Sequence, residues 1–302
     1  MTHSSTLAQH YLNQLRLASR VQRGFLPETL PRCGPVSFQL VFRPVDYVSG
    51  DIYDVQRLDE EHVGIALADA SGHGIPAALL TVYIKRALRG KEIEKDGYRL
   101  LSPDEVLSRL NDDVLEARLS ECPFVAAVYA VLNVRTLRMS LARAGAPYPI
   151  HRRSDGSLRL IDAPGGVVGV VPKCRYELRT IELEPGDCIL FYSDGLERVV
   201  AQVEPTAASQ ARCRAVPEPA HAACGSVASF SSPGPAAAAP VATFTDEIGL
   251  SNHPITRSAW YATLREQGAQ VALAQIAGRQ RTLRRMGYPL DDLTILAVQI
   301  DS

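Results

Sequence analysis

Tyr11, Leu15, Ala18, Gln22 and Phe25 recur at alternating spacings of four and three. That rhythm predicts a helix over about residues 6–26 with a narrow seam, stopped by Leu26-Pro27 and Leu30-Pro31. A seam of about two heptads is marginal alone. It either packs on its own domain or serves as a dimerising or signal-transmitting helix. From residue 36 the period drops to two: Val36, Phe38, Leu40 and Phe42 alternate with Ser37, Gln39, Val41 and Arg43, as in a half-buried strand. Extended segments follow at 51–58 and at 62–69, the second apolar or small on both faces. Pro76 suits the first turn of a helix over about 75–89. A second helix is predicted from Ser102-Pro103 to about Leu119, with Ser102 and Glu105 spaced as a capping box. Strands return at 124–134, 137–144, 148–152, 177–183 and 188–193, punctuated by Asp155-Gly156, Gly165-Gly166 and Pro185-Gly186-Asp187.

Residues 201–242 break the pattern, with 14 alanines and only four charged residues among them. Such a stretch buries too little apolar surface to offset its ordering entropy, which predicts a flexible surface insertion reaching about residues 201–250. A helical pattern resumes from about Arg257 to Met286, capped by Gly287, and a last strand spans Leu293–Ile300. Strand-rich blocks interrupted by helix pairs predict an α+β fold with helices layered on antiparallel sheet.

Composition narrows the classes. The chain has 302 residues, 46% of them hydrophobic, and 32 basic against 33 acidic side chains for a net charge of −1. This excludes a globally basic nucleic-acid binder. No apolar run approaches the roughly 18 residues of a membrane span, and the first residues lack the pattern of a signal peptide. The expectation is a soluble cytoplasmic protein. The six cysteines form no Cys-x-x-Cys pair and read as core packing. His221 and Cys224 would supply only half of a metal site.

The informative feature is acidic. Gly50-Asp51 opens a strand, Asp69 closes one before Ser-Gly-His-Gly, Asp194 closes one before Gly195, and Asp291-Asp292 opens the last. One Asp at a strand end is an ordinary turn residue. Four such sites converging would repel one another and raise their pKa values. Hard divalent cations such as Mg²⁺ or Mn²⁺, which prefer oxygen ligands, would relieve that repulsion.

The order Val48-Ser-Gly-Asp-Ile-Tyr-Asp54, Ala68-Asp-Ala-Ser-Gly-His-Gly74, Leu183-Glu-Pro-Gly-Asp-Cys-Ile-Leu-Phe-Tyr-Ser-Asp-Gly-Leu196 and Asp291-Asp-Leu-Thr-Ile-Leu296 resembles the PPM family of metal-dependent serine/threonine protein phosphatases. The likeness is to its bacterial branch, typified by stage II sporulation protein E and the stress-response regulator phosphatases. It covers roughly residues 7–200 and 250–300. It implies an α-β-β-α sandwich of two antiparallel sheets flanked by helices over 33–302, preceded by an N-terminal linker or dimerisation helix over 1–32. It implies a centre of two Mn²⁺ or Mg²⁺ ions, with Asp69 bridging them and the Ala70 carbonyl contacting one. Asp51 would act directly or through water, and Asp194 and Asp291 would hold the other ion. Asp292 competes with Asp291 for that role, and Asp54 less strongly with Asp51.

The reaction implied is in-line attack on a phosphoserine or phosphothreonine by a water bridging the two metals, with no side-chain nucleophile. The substrate implied is a phosphorylated anti-sigma-factor antagonist of the STAS type. Arg43 is a candidate phosphate contact, although a strand-face arginine is more often simply solvated. His73 reads as a turn residue rather than a leaving-group acid. Three places depart from the branch pattern: Ala146 replaces the histidine of an Ala-Gly-His-Pro turn, Ala126 replaces a common threonine, and after Asp194-Gly-Leu196 the chain reads Glu-Arg-Val-Val and enters the Ala/Pro-rich insertion where the family continues more compactly. These departures bear on regulation and docking and motivate a second reading, a weakly catalytic regulatory scaffold. A third is a phosphatase of a small phosphorylated metabolite. The helix over residues 6–26 implies a homodimer or a separate sensor protein as partner.

Overall fold

The computed structural model describes residues 2–119, 124–202 and 253–301. Helix α1 (Thr2–Arg23) leads into β1 (Val36–Arg43), β2 (Asp51–Arg57) and β3 (His62–Ala70). Helix α2 (Ile75–Ala87), a ribbon of β4 (Lys91–Glu94) and β5 (Gly97–Leu100), and helix α3 (Pro103–Glu116) come next. Six strands follow: β6 (Val125–Asn133), β7 (Arg138–Ala144), β8 (Ile150–Arg152), β9 (Leu158–Leu160), β10 (Arg179–Glu182) and β11 (Cys188–Tyr192). Helix α4 (Gly195–Ala201), a 3-10 turn (Pro254–Arg257), α5 (Ala259–Gln267), α6 (Ala269–Arg285) and β12 (Leu293–Ile300) complete the described chain.

Two antiparallel sheets are stacked, one ordered β1-β12-β11-β8-β9 and the other β10-β7-β6-β3-β2. Strand β3 shows how the sequence places them. Val63, Ile65 and Leu67 point into the core between the sheets, where they meet Phe191, Leu296 and Val298. The alternate residues Ala66, Ala68 and Ala70 lie against Leu80 and Ile84 of α2 and Leu107 and Leu110 of α3. On the far side, Leu190, Tyr192, Ile295 and Ala297 pack on Leu196, Leu264 and Ile276 of α4, α5 and α6. The three cores separate four layers, α-β-β-α, the sandwich that the resemblance implies. Small residues on the helix-facing side of β3 let α2 approach closely, and large branched ones fill the space between sheets.

Several local expectations shift for identifiable reasons. Strand β1 is covered on both sides: Val41, on its expected polar face, is buried against the outer helices. The β4–β5 ribbon carries Lys91, Glu92, Glu94 and Arg99 and so shows no apolar alternation. The single helix expected over 257–286 is broken at Gly268, whose φ of +86° ends α5 and begins α6. Gly287 does cap α6. At the start of α3, Glu105 reaches back to the Ser102 N–H at 3.0 Å, as the capping box requires. Along α1, Leu15, Ala18 and Gln22 of the expected seam turn inward, but Tyr11 and Phe25 face solvent. Cys33 and Cys188 are buried, consistent with core packing. The expected insertion, apart from its first two residues, lies outside the described residues, as do Cys122, Cys213, His221 and Cys224. Among the described residues no helix is long and apolar enough to cross a membrane.

One buried polar clamp ties the first sheet together at the end remote from Asp194. Asp187, 3% exposed, lies 2.8 Å from the His151 ring and accepts the N–H groups of Ser154 and Glu184 at 2.9 and 3.2 Å. Removing that carboxylate leaves the buried His151 ring and two part-buried N–H groups without their partner. Asp187→Ala is expected to cost about 3 kcal/mol of unfolding free energy, read as a lower urea midpoint with unchanged slope.

Candidate metal centre

The register of β2 on β3 sets Asp51 directly opposite Asp69, so two carboxylates share one face of the sheet. That face looks across at the other sheet. Asp51 is 2% exposed, and its Oδ2 accepts the hydroxyls of Ser193, just after β11, at 2.7 Å and Thr294, on β12, at 2.6 Å. Burial pushes the Asp51 carboxyl well above the usual carboxylate range, and the charge of Asp69 pushes it further. The two hydroxyls pull it back.

Asp194 and the Asp291-Asp292 doublet arrive at the same edge because β11 and β12 are neighbours. Gly195 makes the junction possible: a Cβ there would sit 1.9 Å from the carbonyl oxygen of Asp292. The doublet then divides its labour. Asp292 accepts the N–H groups of Val45 and Gly50, both at 2.7 Å, and the Ser49 hydroxyl at 2.8 Å. Both its oxygens are thereby committed to the loop before β2. Asp291 accepts only the Asp292 N–H, at 2.9 Å, and turns its other oxygen to Arg198 at 3.0 Å. Asp194 is half-exposed and also pairs with Arg198, at 3.3 Å.

Asp69 feels all of these groups. Its carboxyl is raised to about 7, first by burial and then by the charges of Asp194, Asp291 and Asp292; Arg198 opposes the shift. The four acidic segments are therefore within electrostatic reach of one another. Among the described residues no three His, Cys, Asp or Glu side chains close into a ready-made cage, as expected where like charges repel. The donors are all oxygen, crowded and electrostatically frustrated. That chemistry fits a hard divalent cation and none softer.

The remaining candidates fall as follows. Ala70 ends β3, and its N–H donates to the Gly50 carbonyl at 2.9 Å beside Asp51. Asp54 is taken by Lys85 at 2.5 Å. Arg43 is exposed at the end of β1, opposite Leu293 and next to the doublet. His73 is solvent-exposed in the turn before α2. Ala126 pairs with Asp69 across β3–β6, and Ala146 is buried with its carbonyl held by Arg143. A cleft of about 610 Å³ lies elsewhere, between the end of α1, β2 and the end of α2.

Four residues support the acidic cluster in roles that the sequence reading did not assign to them. Ser193 and Thr294 are polar residues interrupting apolar strands beside the acidic motifs, a signal that was present. Ser49 and Gln22 were not so marked. Gln22 on α1 donates to the Ser49 carbonyl at 2.7 Å and the Thr81 hydroxyl at 2.9 Å, and accepts the Ser49 N–H at 3.0 Å. The first helix is thus bonded to the loop that carries Asp51.

The fold is that of PP2C-type phosphatase domains. The SiaA-PP2C domain of Pseudomonas aeruginosa superposes with a TM-score of 0.64 at 21% identity, covering 100% of both chains. RsbX in complex with magnesium aligns with a TM-score of 0.52 at 14% identity, over 88% of this chain and 94% of that one. Residues 59–229 match the model of the family described as stage II sporulation protein E (SpoIIE), and the chain belongs to that family. The phosphoserine phosphatase RsbU of Bacillus subtilis (strain 168) is 30% identical over 191 residues, which are 63% of this chain and 55% of that protein. The chain spans between about a third and just over half of the curated relatives it matches.

The raised Asp69 carboxyl carries a signed consequence. With chelator present, the folded chain holds a proton on Asp69 up to about pH 7, whereas the unfolded chain releases it near 3.8. Ionising Asp69 therefore removes stability progressively as pH rises from about 4 to about 7. Asp69→Asn, which never ionises, should gain stability relative to wild type between pH 5 and pH 8 in thermal melts with chelator.

Proposed function

We propose that this chain is a metal-dependent protein phosphatase that hydrolyses phosphoserine or phosphothreonine. The observation that carries the reading is the convergence of Asp51, Asp69, Asp194 and Asp291 on one edge of the sandwich, with Asp69 raised by the charges around it. Family membership and the phosphoserine phosphatase relative RsbU support it.

In this reading two Mn²⁺ or Mg²⁺ ions are held by Asp69, the Ala70 carbonyl, Asp194 and Asp291, with Asp51 beside them. The magnesium complex of RsbX supports the choice of a hard cation. When bound, such a pair supplies an acidified water for in-line attack on phosphorus and screens the phosphate charge. The chain's own residues do the rest. Ser193 and Thr294 fix the rotamer of Asp51, so its free oxygen has one direction. Asp292 anchors the loop ahead of Asp51 and is a positioning residue, which makes Asp291 the ligand of the doublet. Arg43, at the rim beside the doublet, contacts the substrate phosphate. The substrate is a phosphorylated anti-sigma-factor antagonist of the STAS type, and the enzyme acts in the cytoplasm.

A homodimer or a separate sensor protein engages the first helix. Leu7, Tyr11 and Val21 of α1 and Phe25 just after it are exposed, and Ile75, Leu79 and Tyr83 form an exposed row at four-residue spacing on α2. Large apolar side chains left exposed in such numbers support an interaction site.

Phosphate release from an aryl phosphate should require Mn²⁺, stop with chelator, and fall about a hundredfold or more in Asp69→Asn, matching several kcal/mol of charge stabilisation. A panel of phosphoserine proteins should be turned over and small phosphorylated metabolites left intact; the reverse preference would overturn the protein-substrate assignment. Tyr11→Glu with Leu79→Glu should reduce the mass by light scattering from dimer to monomer, and a wild-type monomer would remove the homodimer.

A further inference from the structure

One cation among these carboxylates is supplied by the chain itself. Arg198 lies on α4, four residues after Asp194, so the helix brings both side chains to one face. Its Nη2 is 3.3 Å from Asp194 Oδ2 and 3.0 Å from Asp291 Oδ2. A single guanidinium nitrogen thus bridges two carboxylates that come from the end of one strand and the approach to another.

Among the described residues Arg198 has no other ion-pair partner. Glu197, next to it, is half-buried and faces the His253 ring at 3.7 Å. Both oxygens of Asp292 are spent on Val45, Ser49 and Gly50. One oxygen of Asp51 is taken by Ser193 and Thr294, and the side chain is sealed within the sandwich. Among the described residues, no other basic side chain is within ion-pair distance of Asp194 or Asp291. The Arg198 side chain is 56% exposed, so it is free to swing into solvent when those bonds break. Arginine stays charged at any working pH and binds carboxylates with directed N–H groups, which makes it a persistent partner.

This inference rests on reading the cluster as a centre for two divalent cations. We propose that Arg198 is the resident counter-ion of the Asp194–Asp291 pair and competes with the second cation for its oxygens. The cation that relies on Asp69 and Ala70 feels Arg198 only at a distance, with no guanidinium paired to its ligands, and loads first. The one that relies on Asp194 and Asp291 loads second, after the guanidinium has swung away, and more weakly. Arg198 is a positioning residue that sets the metal concentration at which the centre becomes complete.

The test uses the full chain as wild type, Arg198→Gln, Asp291→Asn and the double variant, with Mn²⁺ titrated by calorimetry and thermal melts recorded with and without chelator. Two exposed ion pairs are of a size to change an affinity roughly three- to thirtyfold. Arg198→Gln should tighten the weaker Mn²⁺ step by that factor and leave the tighter step within about twofold. With chelator the same variant should melt lower than wild type, because the facing carboxylates lose their partner; with Mn²⁺ it should melt higher. A purely structural arginine would lower both melting temperatures, which overturns the proposal. A tightening of equal size in the Asp291→Asn background also overturns it, since that would be a general charge effect without bridging. A wild type that binds Mn²⁺ in two steps, with Arg198→Gln unchanged, removes this inference alone. A wild type that neither binds Mn²⁺ nor shifts its melting temperature removes the metal centre and this inference with it.

Discussion

Two carboxylates facing each other across neighbouring strands, one of them closed off from solvent, form the constraint on which the rest of the structure depends. Asp51 and Asp69 are paired by strand register, so neither can leave without unzipping β2 from β3. The charge of Asp69 raises Asp51, and burial raises both. The opposite sheet answers with two hydroxyls, from Ser193 and Thr294, at the positions where β11 ends and β12 begins. The polar contacts thus join the sheets at one edge, while Phe191, Leu296 and Val298 join them by apolar packing in the middle. Relative placement of the sheets and geometry of the acidic cluster are consequently one problem with one solution.

The same edge shows how adjacent, chemically identical residues become different. Asp291 and Asp292 differ only in what surrounds them. The close backbone approach at Gly195 fixes the doublet's path. Asp292 is then directed toward the loop at Val45–Gly50 and saturated by three donors, and Asp291 is left facing outward with its second oxygen on the exposed Arg198. A carboxylate bonded by several N–H and O–H groups is held in one place. One whose side-chain partner is an exposed guanidinium is more easily redirected. The fold has made one of each from a repeated letter.

Much of this was legible in the sequence, and the part that was not has a physical cause. The long strands β3, β6 and β12 carry enough apolar residues for period and length to identify them. The acidic motifs stand out because charge at the end of an apolar strand is costly unless it has a use. The β4–β5 ribbon was invisible because its side chains pair by charge, with Arg99 meeting Glu92 and Glu105, and charge pairing leaves no periodic trace. The break at Gly268 was missed because the apolar rhythm continues across it in α5 and α6. Asp291 and Asp292 were indistinguishable for a deeper reason: their difference lies in partners 240 or more positions away along the chain, such as Gly50, which no local pattern encodes.

The Gln22 side chain bears on where this protein can be cut. The chain leaves the helix near Pro27 and Pro31, and a boundary drawn there looks natural. Yet Gln22, itself buried, fills the hydrogen-bonding needs of the Ser49 backbone and of Thr81 at once. Excision downstream of it would leave a donor, an acceptor and a hydroxyl without their partner one residue from Gly50 and two from Asp51. A piece that keeps these bonds to the acidic edge therefore includes Gln22 and the last turn of α1.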